Sequence, residues 1–396
     1  MKRLIITVSI IVMAICASLL ILYLKWERLP KTVSSIYVLD KTVSRSDYYE
    51  HKSLFWILNS LRIVKPDSTS YKDSKDYYGF YPVDPTKGTF DFRSIRIAQI
   101  NHFADSLDLV YYVDCYGVYS DDWMGKHESN IGQKIYGGLN QNDFLLLKAM
   151  KEKGKPIIAE YNLFSSLGSG LVRNKVASLF GFTYTGWIGR AYEKFDSLSA
   201  DRPPRWLINL YQNSTGKLWP NSKGGVVFVG PDGTVFLLYK GQHLKSTTIS
   251  IISTEEAVRT FKVDPVVPYG RWFEIISVPA DFKVYSTYLL DLNPEGISLL
   301  HSNGIPAVFP AMVSSTQNGT IYYFAGNFAH TPSYLFTSYL WGSNTINRLL
   351  SYALRPSGYK FFNNYYRPLI TSILSNCCVK PDSATMQRKR KLLPLK

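Results

Sequence analysis

Three apolar segments of the chain end in an acid. SIYVLD closes on Asp40, LDLVYYVD on Asp114 and PIIAE on Glu160. Each reads as a strand buried on both faces, because its apolar run is continuous rather than alternating. In an open parallel sheet, ligands bind beyond the carboxyl ends of the strands. If the three strands share one sheet, their acids converge on one rim. Carboxylates placed in this way can act as general acid and base, or hold the hydroxyls of a sugar. Asp114 and Glu160 are therefore the catalytic candidates and Asp40 a substrate-binding one. The structural alternative is that acids at strand ends cap helices or meet loop amides.

Two further stretches carry chemistry. In TYTGWIGRAYEKF, residues 183–195, Trp187 stands between Gly186 and Gly189 and is followed by Arg190. Glycines permit a close turn, so Trp187 could stack on a sugar ring and Arg190 fork onto a carboxylate. Equally, Trp187 could plug the core and Arg190 tie loops to a rim acid. In VYYVDCYGVY, residues 110–119, Cys115 lies where a strand breaks at Gly117. Its neighbour Asp114 has the better reason to face a ligand, and Cys115 reads as a small buried residue. The six histidines are scattered at 51, 102, 127, 243, 301 and 330. With no HExxH, no zinc spacing, no Walker loop, no GxGxxG and no GxSxG, no metal and no cofactor are expected.

The elements that would position these residues follow from periodicity. HKSLFWILNSLRI, residues 51–63, has helical spacing. NQNDFLLLKAMKEKGK is a helix with an Asn or Asp N-cap and Gly154 as its stop,. Set between YYVD and IIAE, it makes a βαβ unit with parallel strands. Residues 67–88 read as a long polar surface loop, and 170–180 as another helix. GGVVFVGPDGTVFLLYKG is a hairpin across Pro-Asp-Gly, and short strands continue toward residue 290,. Residues 296–328 read as a strand, a turn and a further strand, and 332–375 as partly helical. The expected fold class is α/β: a mostly parallel, flavodoxin-like sheet with helices on both faces, a β-rich subdomain and an N-terminal transmembrane helix.

Residues 4–24, LIITVSIIVMAICASLLILYL, contain no charge and are long enough to cross a bilayer core of about 30 Å,. Lys2 and Arg3 precede them and favour a cytoplasmic N-terminus,. A cleaved signal peptide would end in small residues sooner. Against a lipoprotein reading of Cys16, Ile15 stands where a small residue is needed. The expected organisation is a cytoplasmic stub at 1–3, an anchor at 4–24 and a linker at 25–34. An extracytoplasmic body follows at 35–375, with a β-rich insertion at about 220–290, and then a basic tail at 376–396. The localisation that follows is a single-pass cell-membrane protein. The remaining cysteines are Cys115 and the vicinal pair Cys377-Cys378, so no disulfide framework is expected,.

A formal net charge of +15 favours acidic partners, and 29 tyrosines suit a wet binding surface,. The basic residues are dispersed except for QRKRK at 387–391, and no RNP-like or zinc-finger motif is present, so no nucleic-acid partner is expected,.

The order of elements resembles the class I glutamine amidotransferase-like superfamily, in its non-glutaminase, ThuA-like branch. SIYVLD, DLVYYVD with its crossover to KPIIAEYN, and the late GIPAVF…NGTIYYFAGNF carry the resemblance, over roughly residues 35–190 and 290–335. Active members of that superfamily place a cysteine on a GxCxG elbow with a His-x-Glu pair farther along. The corresponding Val113-Asp114-Cys115-Tyr116-Gly117 lacks the first glycine, and no His-x-Glu occurs in the chain. Without a base the thiol has no route to a thiolate near neutral pH. The resemblance therefore implies an amidotransferase-like protein without glutaminase activity. The expected function is binding of glycan or polysaccharide in the cell envelope, with an anionic glycan as ligand. A glycan-acting hydrolase using the carboxylate rim is one alternative, and a scaffold for envelope proteins is the other.

Overall fold

The computed structural model describes residues 2–124, 132–164, 170–196, 198, 201–315, 320–333, 335–354 and 357–378. The tail beyond Cys378, with QRKRK, lies outside the described residues, as does His127. A ten-stranded sheet organises the body. In order across it run Val266–Tyr269, Ile249–Ser253, Lys283–Leu289, Val308–Ser315, Ile321–Phe324, Ile157–Glu160, Leu109–Asp114, Ile36–Asp40, Tyr78–Asp84 and Thr89–Arg93. The five strands from Ile321–Phe324 to Tyr78–Asp84 are parallel. The four strands on one side and the edge strand Thr89–Arg93 on the other pair antiparallel. The fold is thus α/β, but the sheet is mixed and not mostly parallel. Continuous apolar runs identify buried strands, and they do not tell on which edge, or in which direction, a strand joins the sheet.

A second, antiparallel sheet orders Val235–Tyr239, Gly225–Val229, Thr183–Tyr192 and Phe273–Ser277. The strands between residues 220 and 290 therefore divide between the two sheets. Phe273 joins them, its ring stacked 5.5 Å from that of Phe309 in the large sheet.

Local chemistry explains the helices that frame the rim. Asn140 caps Gln141–Glu152, accepting from the amides of Asn142 and Asp143, and Asp143 returns to the Asn140 amide at 2.8 Å,. Gly154 follows with φ +66°, the left-handed conformation that ends a helix readily,. Lys52–Ser60 buries Leu54, Phe55, Trp56, Ile57 and Leu58, and one such apolar residue is worth about 1.5–3 kcal/mol. Pro294 at the first turn and Glu295 near the positive end of the dipole start the helix Pro294–Ser302, where the sequence reads as strand,. Within residues 67–88, read above as loop, Tyr78–Asp84 extends the parallel set beside Ile36–Asp40.

Candidate functional site

Register brings the three acids to one edge. Asp40 pairs with Asp114 across neighbouring strands, and Glu160 ends the next strand over. All three are buried: Asp40 is 0% exposed, Asp114 4% and Glu160 1%. Each is saturated from within the protein. Asp40 accepts from the Thr42 amide at 3.0 Å and holds Nδ1 of His51 at 2.8 Å. Thr42 bridges to the second acid, its hydroxyl donating to Asp114 at 2.8 Å. Asp114 also accepts from the Tyr116 amide at 2.7 Å and from the Asn162 side chain. Glu160 points elsewhere, accepting from the amides of Phe328 and Ala329 at 2.8 and 2.9 Å and from the Tyr111 hydroxyl.

Two further acids join this interior: Glu50, which the sequence places at a helix start where it could face the rim near Asp40, and Glu274, which the sequence reading missed. Glu50 is 8% exposed and Glu274 fully buried, each with one carboxyl oxygen lacking a hydrogen-bond partner. Burial pushes Glu50, Glu160 and Glu274 up to about 8 and Asp114 up to about 7. The charge of Asp40 adds to the rise at Glu50 and Asp114. Burial opposes charging His51, but the hydrogen bond and charge of Asp40 outweigh it and raise the ring above its ordinary range. A charged residue inside an apolar run, as in RWFEIIS, was the available sign of Glu274,.

The other sequence candidates part company. Trp187 packs into the main core, its ring edge-on to Phe236 at 5.5 Å and hard against Gly230. Arg190 pairs with Val227 and shares the opposite face of the small sheet with Tyr192, above which its guanidinium lies at 4.8 Å. Trp187 and Arg190 therefore do not form one stacking-and-forking site. Cys115 is 1% exposed, and burial pushes its thiol well up, so it is not poised as a nucleophile,.

Above the acids the surface changes sign. Arg271 donates to the Tyr49 hydroxyl at 2.7 Å and lies over its ring, and Tyr49 meets His330 edge-on at 4.7 Å. His330 is pushed down to about 3, by burial first and then by the charges of Arg271, Arg190 and Arg45. It is a neutral imidazole among three guanidinium groups. Arg45 and Arg190 have acid partners in Asp47 and Asp201. Arg271 has no carboxylate partner among the described residues. Beside it, Trp272 stacks on Trp206 at 5.7 Å. Arg45 also lines a separate cavity of about 330 Å³, together with Ser44, Ser46, Asp47, Pro82, Pro85 and Trp123. That volume suits a sugar-sized ligand. Of these rim residues the sequence singles out Arg190 alone; Tyr49, Arg271 and His330 lie on separate segments that only folding brings together.

Gly326 begins the turn that carries the Phe328 and Ala329 amides to Glu160. A Cβ there would overlap the hydroxyls of Tyr288 and Tyr269. Gly326→Ala is expected to destabilise the body by about 1–3 kcal/mol, measured by denaturant unfolding.

Fold and site together define a mixed α/β protein with a buried acidic rim beneath a basic, aromatic mouth. No family model matches the sequence, and no curated protein matches it. Among solved structures it is similar to a ThuA-like protein from Parabacteroides merdae, at 9% identity and a TM-score of 0.38, covering 89% of this chain and 93% of that one. A cytoplasmic protein from Salmonella typhimurium matches at 11% identity and a TM-score of 0.37, over 88% of this chain and 99% of the other. An exo-beta-1,4-mannosidase from an Opitutaceae bacterium matches at 8% and 0.32, over 88% of this chain and 37% of the enzyme. At TM-scores below 0.5 these likenesses carry no argument about family or activity.

Proposed function

We propose that the chain is a membrane-tethered binding protein for an anionic glycan of the cell envelope, held at the mouth formed by Arg271, Arg190, Arg45, Tyr49 and His330. The observation that carries this reading is Arg271, a cation braced by Tyr49 yet without a carboxylate partner among the described residues. A planar guanidinium matches a carboxylate or sulfate bidentately, and neighbouring aromatic faces suit sugar rings. The acids below are engaged in internal hydrogen bonds, which favours binding over hydrolysis at the carboxylate rim.

Tethering rests on the helix Lys2–Glu27, which is long and apolar enough to cross a membrane; a signal sequence meets the same criterion. Retention is supported by its last turn. Trp26 is 5% exposed, donates to the Asn59 carbonyl at 3.1 Å and packs against Arg62 and Tyr339. With Lys2 and Arg3 inside, the body lies outside the cytoplasm.

The test is equilibrium binding of full-length protein in nanodiscs to a panel of uronic-acid and sulfated oligosaccharides. Arg271→Gln is expected to weaken binding at least tenfold, with the loss shrinking in high salt. Equal affinity of wild type and variant, or no binding to any anionic member of the panel, would overturn the assignment. Shortened products that vanish in Asp114→Asn would favour the hydrolase instead.

A further inference from the structure

A second surface faces the membrane end of the molecule. The backbone amide of Trp341 donates to the Leu22 carbonyl at 3.1 Å. Leu22 lies inside the uncharged run that ends at Leu24. Tyr339 and Trp341 are thus held against the flank of the apolar helix, at the level where that helix would leave the hydrocarbon. Lys25 lies 4.8 Å over the Trp341 ring, and Trp26, Tyr23 and Tyr339 cluster at the same height. Trp and Tyr beside Lys at this level are the side chains that favour a membrane interface.

From there the helix Ser343–Leu354 leads away. Ile346 and Leu349, three residues apart and hence on one face, are 50% and 66% exposed, and Trp341 is 47% exposed,. The body side of the helix carries Ser343, which is buried, and Arg348, which pairs with Asp264 at 2.9 Å. An apolar stripe with a polar reverse face is the pattern of a helix lying in the plane of an interface.

We propose that Trp341, Ile346 and Leu349 form a docking surface for the lipid interface of the membrane that holds the N-terminal helix. The inference rests on that helix being retained and inserted. Continuity decides the occupant: the surface is hydrogen-bonded to the apolar helix itself, so a bilayer around residues 4–24 also meets Trp341. The helix then acts as a foot that sets the tilt of the body and holds the glycan mouth at one height above the lipid.

The test uses full-length protein in nanodiscs of phosphatidylcholine and phosphatidylglycerol. Spin labels are placed singly by Val12→Cys, Ile346→Cys, Leu349→Cys and Lys217→Cys in a Cys16→Ser, Cys377→Ser background. Relative accessibility to oxygen and to a nickel chelate reports depth. Labels at 346 and 349 are expected at interfacial depth, the label at 12 in the hydrocarbon and the label at 217 in water. Aqueous values at 346 and 349 with a hydrocarbon value at 12 would overturn the foot while leaving the anchor intact. An aqueous value at 12, or loss of the helix by intact mass, would instead overturn the anchor and the foot with it. Dipolar coupling between two chains labelled at 349, with low accessibility to both reagents, would show a second copy on this face and also overturn it.

Discussion

Replacing His51 by Gln is expected to cost the folded chain about 3–5 kcal/mol, measured by denaturant unfolding of the full-length protein in detergent. The ring is fully buried, and its Nδ1 lies 2.8 Å from the Asp40 carboxylate while its Nε2 meets the Asp73 carbonyl at 3.0 Å. Removing it leaves Asp40 buried with the Thr42 amide as its remaining hydrogen-bond donor. An uncompensated interior charge is far more costly than a lost surface pair. The exposed pair of Lys153 and Asp105 provides the contrast, since Lys153→Ala should cost under about 1 kcal/mol,. The double variant Asp40→Asn/His51→Gln should recover part of the single-variant loss, because the charge and its partner leave together. A His51→Gln loss as small as that of Lys153→Ala would refute the view that this pair holds the rim.

The second large effect is a stability profile that declines with pH. Glu50, Glu160 and Glu274 are raised to about 8 and Asp114 to about 7 in the folded state. In the unfolded chain these groups return to about 4. Between those limits the native state binds more protons than the unfolded one, so stability falls as pH rises. Their contribution is fully present below about pH 4 and is lost as pH passes 7 and 8. His51 has the same sign, because its folded value is also raised. The protein should be more stable at pH 5 than at pH 8.5, with a slope approaching four protons between those limits,. Chemical unfolding across that range measures it. Glu274→Gln should remove about one proton from the slope, because the Tyr323 hydroxyl still finds an acceptor in the amide,. Equal stability at pH 5 and 8.5 would sink the claim that these acids are held neutral by burial.

Much of the local structure was legible before folding. The capped helix Gln141–Glu152, the hairpin Gly225–Val229 to Val235–Tyr239 and the parallel pair ending at Asp114 and Glu160 each rest on short-range chemistry. The apolar helix at the N-terminus was legible for the same reason, since its length and lack of charge are properties of one segment. The placement of Asp40, Asp114 and Glu160 along one edge also followed from strand ends alone.

What those residues do was settled by tertiary packing. Burial depends on what covers a strand end, and the loops at 41–51, 162 and 326–329 that cover this one come from distant parts of the chain. They turned an anticipated open rim into a closed, hydrogen-bonded interior. The separation of Trp187 from Arg190 depends on the segment 183–192 pairing as a strand rather than turning at its glycines. Once the segment forms a strand, their odd separation of three residues sends them to opposite faces,. Arg271, Tyr49 and His330 lie far apart in sequence and meet in space. Periodicity, capping and apolar length are local and survive in the sequence, whereas burial, pairing and the sign of a surface depend on contacts between distant segments, and only the folded chain decides them.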